Sequence, residues 1–172
     1  AMQDPNPRVA GQGAKQLTDA GIRMEIGLLE AQTRALNPGF IQRMQHGRPY
    51  VRVKLAVSLD GRSALANGES KWISGEAARQ DVQRWRARSA AILTGIGTVL
   101  ADDPSLTVRL PELAERQPLR VVVDSGLRMP TGAKLLAQSG AVLVATASDR
   151  VERAAALRAA GAETIVLGNA GG

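Results

Sequence analysis

Apolar and polar positions follow two different rhythms along this chain. Residues 11–20 have helical spacing closed by Gly21, a glycine at a natural C-cap. Ile22, Met24 and Ile26 then alternate with polar neighbours, the period of a short strand. A second helix is predicted over 29–36, stopped at Asn37-Pro38-Gly39. Residues 40–44 continue into His46-Gly47-Arg48-Pro49, which reads as a linker with a solvated histidine. This opening piece is too short to bury a core by itself.

The pattern changes at Tyr50. Residues 51–59 alternate and then become continuously apolar, which predicts a strand running into an Asp60-Gly61 turn. A polar loop follows to Ser74, expected to cap a helix with Glu76 in its first turn. Ala78, Val82 and Trp85 mark the predicted buried face of that helix, with Trp85 in the core. Residues 90–93 predict a buried strand, followed by Thr94-Gly-Ile-Gly-Thr98 and a helical run to Asp102. Strands are predicted at 119–123, 141–146 and 164–167, with a helix over 150–160 closed by Gly161. Strands interleaved with helices imply an α/β layered domain with a mostly parallel sheet. Ligands of such sheets bind beyond the carboxyl ends of strands. The turns at 58–62 and 94–98 and the Asp124-Ser125 pair are therefore the first places to look.

Composition narrows the chemistry. In 172 residues there is no cysteine and one histidine, which excludes disulfides, thiolate catalysis, Cys-ligated zinc and a His-based metal cluster. With four aromatics, the core must be built from Val, Leu, Ile and Ala. The net charge of +6 favours an anionic partner, either nucleic acid or a phosphorylated small molecule. The scarcity of aromatics argues against stacking on nucleic acid bases. No apolar stretch approaches the roughly 20 residues needed to cross a bilayer, and no leader opens the chain, so a cytoplasmic protein is expected. Ala1 before Met2 and a glycine-rich end directly after a strand read as signs of a fragment.

Several residues have two readings. The 94–98 turn is either a tight structural turn or a cradle whose free N–H groups meet a phosphate; it is neither a complete dinucleotide fingerprint nor a P-loop. Asp102-Asp103-Pro104 is read as a helix end rather than a metal site. Arg84, Arg86 and Arg88 form either a solvated face or an anion site with Arg109, and Arg86, about 100° round the helix from Trp85, is the better placed. Lys54 within a strand is an edge charge or a functional cation, and the second is favoured. Trp72, in a polar Ser-Lys-Trp-Ile-Ser loop, is placed to contact a flat ligand.

Together these segments resemble the bifunctional riboflavin-biosynthesis family that joins a pyrimidine deaminase to a pyrimidine reductase. The likeness is carried by Asp4-Pro-Asn-Pro-Arg-Val-Ala-Gly-Gln-Gly13, Leu36-Asn-Pro-Gly-Phe40, Lys54-Leu-Ala-Val-Ser-Leu-Asp-Gly-Arg62 and Gly68-Glu-Ser-Lys-Trp-Ile-Ser74. Thr98-Val-Leu-Ala-Asp-Asp-Pro-Ser-Leu-Thr-Val-Arg109 and Arg116-Gln-Pro-Leu-Arg-Val-Val-Val-Asp-Ser125 complete it. The likeness is ordered up to Ser125 and looser beyond.

The resemblance implies that residues 1–47 are the closing elements of a deaminase domain plus linker. Residues 48–172 would be the first, incomplete part of a reductase domain with a dihydrofolate-reductase-like fold. The deaminase zinc motif lies upstream in the family, so neither zinc nor deamination is expected here. The implied reaction is NADPH-dependent reduction of 5-amino-6-(5-phosphoribosylamino)uracil to the phosphoribitylamino product. NADPH contacts would fall on Ala56, Trp72, Thr98, Asp102 and Ser125, and substrate contacts on Ser70, Arg86, Leu106 and Arg109. Lys54 and Asp102 would serve the reacting sugar. The family pattern continues with a further strand, an acidic substrate contact and a glycine-rich cofactor loop, so little activity is expected of the isolated piece. A homodimer or larger homo-oligomer is implied, with no nucleic acid or membrane partner. The alternatives are a basic nucleic-acid-binding module or a non-catalytic assembly piece.

Overall fold

The β-branched run at 119–123 sits at the centre of what folds. In the computed structural model, which describes residues 2–70 and 72–168, it forms β2 (Leu119–Val123). β2 lies between β1 (Ala91–Gly95) and β3 (Val142–Thr146), and β4 (Glu163–Val166) completes the order β1-β2-β3-β4. All three pairings are parallel, with Leu93, Val121, Leu143 and Glu163 in one row. This is the α/β architecture expected, with four strands among the described residues where the hydrophobic pattern promised more.

The crossovers supply the core. Ile96 and Val99 of α5 (Ile96–Asp102) join Ala154 and Leu157 of α6 (Val151–Ala159) in one buried cluster with Val122 and Val144. Covering both neighbours of β2 and β3 explains why those strands read so clearly: their apolar side chains are removed from water, and their backbone groups pair on both sides. β1 is an edge strand. Leu93 is 68% exposed, so the expectation of a fully buried strand at 90–93 is corrected.

The chain divides into two units between Ala56 and Val57. The first contains α1 (Gln12–Asp19), α2 (Glu30–Leu36) and α3 (Pro38–His46), with Ile41 its one buried apolar residue among those described. Three expectations fail here. His46 ends α3 rather than standing in a linker, and Gly47 closes the helix at φ 66°. Residues 22–26 form no strand, and Ile22 and Ile26 stay exposed. Residues 51–59 form none either, with Val51, Val53 and Leu55 each about three-quarters exposed. The alternation is present in both segments, but no described segment pairs with them, and a lone extended stretch gains nothing from its own backbone.

The helix before the sheet, α4 (Glu76–Ala87), is turned differently from the expected phase. Its cap is Gly75, with no side-chain cap from Ser74, although Glu76 does sit in the first turn. Ala78 is exposed and Trp85 only half-buried, its indole donating to Asp81 Oδ2 at 2.7 Å rather than entering the core. The covered face is Arg79, Val82, Gln83 and Arg86, with Gln83 buried. Three polar residues turn inward because their polar ends find partners in neighbouring loops.

Candidate anion-binding site

Within the second unit, α4 gathers two of the loops singled out from sequence. At its first turns the Arg79 guanidinium lies 4.4 Å from the centroid of the Trp72 ring and also donates to the Ser74 carbonyl. Two turns on, Gln83 and Arg86 reach residues 107–109. Arg86 Nη1 donates to the Thr107 carbonyl at 3.1 Å, and Arg109 N–H donates to Gln83 Oε1 at 2.9 Å. One helix face thus holds the Trp72 loop at one end and the Arg109 loop at the other.

The two arginines have an unusual electrostatic setting. Neither takes part in an ion pair among the described residues. Burial, and after it the neighbouring Arg109 guanidinium, hold the Arg86 pKa below its ordinary value. Arg86 is half-buried and Arg109 exposed, and the loop bonded by Arg86 is the one that carries Arg109. Such a pair repels itself until an anion stands between, and planar guanidiniums match the oxygens of a phosphate.

The loop that carries Arg109 is strained and held. Leu106 has φ 53° and Asp103 φ 40°, left-handed values that cost an L-residue of this kind on the order of 1–3 kcal/mol. Gln117 brackets Val108, accepting from its N–H at 2.8 Å and donating to its carbonyl at 3.1 Å. Arg120, fully buried in β2, reaches the Ser105 carbonyl at 3.4 Å and the Leu135 carbonyl at 2.7 Å. It also donates to the carbonyls of Gln138, Ser139 and Gly140. It takes part in no ion pair among the described residues, and burial lowers its pKa. Five carbonyl dipoles take the place of a counter-ion.

The remaining expected residues are placed as follows. Thr98 and Asp102 are exposed on α5, which leaves the end of β1, and Asp102 is the last residue of that helix. Ser125 is exposed just beyond β2, its carbonyl accepting from Thr146 Oγ1 at 3.2 Å. Thr98 and Ser125 do follow strand ends, whereas Asp102 stands at the far end of the helix. Ser70 and Leu106 are half-buried, and Trp72 is 74% exposed. Gln117 stands two residues ahead of β2, so the arginine loop is anchored at the start of that strand, roughly 13 Å from its end by four residue rises. The strand-end rule finds Thr98 and Ser125 and does not find the arginines. Lys54 (exposed) and Ala56 (half-buried) belong to the first unit and lie in no strand.

Residues 49–167 match the family model described as the RibD C-terminal domain. The chain belongs to that family. It is 51% identical over 158 residues to the riboflavin biosynthesis protein RibD of Haemophilus influenzae, covering 85% of this chain and 42% of that protein. The Escherichia coli RibD is 50% identical over 151 residues, with 81% and 41% covered. Among solved structures, Acinetobacter baumannii RibD superposes with a TM-score of 0.83 at 47% identity, over 99% of this chain and 48% of that one. A Thermotoga maritima diaminohydroxyphosphoribosylaminopyrimidine deaminase/5-amino-6-(5-phosphoribosylamino)uracil reductase gives 0.82 at 34% identity, over 98% and 46%. The chain thus spans about half the length of the RibD relatives it matches.

Sequence reasoning singled out both arginines and did not single out the side chains that bond their loop. Gln83 carries no motif, and Gln117, although it lies in the Arg116–Ser125 stretch of the family likeness, was not singled out. Arg120 did carry a signal: a cation inside the run Leu119-Arg-Val-Val-Val123 is as anomalous as Lys54 in its own apolar run, and the same rule flags both.

Proposed function

We propose that this chain serves the reductase step of riboflavin biosynthesis, the NADPH-dependent reduction of 5-amino-6-(5-phosphoribosylamino)uracil at its sugar. The observation that carries the reading is that Arg86 of α4 bonds the loop that carries Arg109, with neither guanidinium in an ion pair among the described residues and the loop held in a strained conformation. In this reading the pair holds the 5-phosphate, while Leu106 and Ser70 lie against the rest of the substrate. Fixing the phosphate orients the reacting carbon and removes much of the entropy of encounter. The complete reaction is proposed for a protein of the relatives' full length.

The kinds of residue at these positions support a nucleotide cofactor. Trp72 offers an exposed indole face, Thr98 and Ser125 offer polar groups just after two adjacent parallel strands, and Asp102 ends the helix that follows the first of them. NADPH, when bound, supplies the hydride. Asp102 would orient or protonate the sugar oxygen. The roles of Lys54, beside the reacting sugar, and of Ala56, on the cofactor, rest on family likeness alone. So does the assignment of residues 1–47 as the end of a deaminase domain, which gains support from a structural match over 99% of the chain.

Calorimetric titration with ribose 5-phosphate tests the phosphate reading. Saturable binding that falls about 10–100-fold in Arg109→Ala is expected, the loss of one charge-assisted contact of about 1.5–3 kcal/mol. Equal binding by parent and variant would refute it. Salt-sensitive binding to DNA in preference to the phosphosugar would favour a nucleic-acid module instead.

A further inference from the structure

We infer that Gln83 and Gln117 are positioning residues, whose side-chain amides hold the 107–109 backbone so that Arg109 stands beside Arg86. The inference rests on the phosphate reading above for the identity of the anion and adds the means by which the site is built.

Residues 105–109 belong to no helix or strand, yet Thr107 and Val108 are buried. Buried backbone groups without partners are costly, so the partners must come from side chains. Gln117 provides them in the manner of a neighbouring strand. A primary amide displays a donor and an acceptor side by side, as an extended backbone does, and Gln117 uses both on Val108. Its nitrogen also donates to the Ala114 carbonyl at 3.1 Å, so both amide hydrogens are engaged. Gln83 then takes the next N–H, that of Arg109 itself. The left-handed turn at Leu106 comes immediately before these contacts, and a strained residue persists only where its surroundings fix it.

The choice of amide is chemically specific. A carboxylate at position 83 or 117 would accept the same N–H, but would place a negative charge in competition with the anion. A lysine or arginine could not accept at all. Glutamine secures the backbone and leaves both guanidinium charges for the ligand.

The test is a double-mutant cycle on the full chain, read by ribose 5-phosphate calorimetry and by amide hydrogen exchange. Gln117→Met keeps the side-chain length and removes all three hydrogen bonds, two to Val108 and one to Ala114. It is expected to speed exchange at the Val108 amide and weaken ribose 5-phosphate binding about tenfold. In an Arg109→Ala background the same change is expected to cost less than twofold, because its effect passes through Arg109. Equal losses in both backgrounds would reduce Gln117 to a general structural role and overturn the inference, as would unchanged Val108 exchange. If Arg109→Ala binds as the parent does, the anion site itself fails, a result distinct from additivity. Should Gln117→Met not fold, Gln83→Met is read in the same cycle at the Arg109 amide, with the same expected and overturning results.

Discussion

Residues 51–59 and 105–109 both carry residues that the family likeness assigns to the site, and neither is part of the sheet. Their fates differ. The first has a strand's alternation and leaves Val51, Val53 and Leu55 largely in water. The second has no regular period, yet its backbone is bonded by Arg86, Gln83, Gln117 and Arg120. A hydrophobic period predicts a strand only where a neighbour exists to pair with it. An aperiodic loop becomes rigid where long polar side chains from fixed elements supply that neighbour. The site's precision therefore comes from side chains on α4 and at the start of β2 rather than from the sheet's own ladder.

The largest effect that would break this contrast lies at Arg120. Replacing it with Met leaves five carbonyl contacts unmade, the Leu135 one buried and the others part-buried, and frees the Ser105 end of the loop. A loss of about 3–5 kcal/mol is expected in urea unfolding, with no rescue by lysine, whose three donors cannot span the same carbonyls. Next comes Gly140→Ala. A Cβ there would meet Gln117 Cβ at 2.8 Å, at a backbone φ of +96° that disfavours any side chain. About 2–3 kcal/mol of stability should be lost, and ribose 5-phosphate binding should weaken with it because Gln117 is displaced.

A matched pair of valines sharpens the comparison further. Val122→Ala in the core is expected to cost about 2 kcal/mol, and Val53→Ala under 0.5 kcal/mol in the same denaturation series. Equal costs would mean that residues 51–59 are packed after all. The smallest effect is at the 58–62 turn. There Ser58 Oγ donates to Asp60, holding its carboxyl below the ordinary value of 3.8. A depressed carboxylate stabilises the fold above its unfolded pKa and loses that contribution as pH falls through the folded value. The Ser58 and Arg62 amide resonances should therefore follow a titration whose midpoint lies below 3.8, and Asp60→Asn should abolish the movement.

How much was legible follows from the same physics. The strand at 119–123 could be read to the residue because β-branched side chains with partners on both sides leave one solution. Thr98 and Ser125 do follow strand ends, one after the edge strand β1 and one after the central β2. The phase of α4 was misread in part: Val82 is on the covered face as expected, but Ala78 is exposed and Gln83 is the buried residue, with Arg79 and Arg86 half-buried beside it. Sequence patterns count apolar area well. They do not show which distant carbonyl or amide a glutamine will reach, and Gln117 to Val108 is such a contact.

The most direct measurement is a nuclear magnetic resonance titration of the intact chain with ribose 5-phosphate, following the guanidinium Nε signals of Arg86 and Arg109. Both signals are predicted to shift together along one saturable curve, with the Val108 and Arg109 amides protected from exchange throughout. Shifts confined to arginines of α2 and α3, with Arg86 and Arg109 unmoved at saturation, would contradict the account.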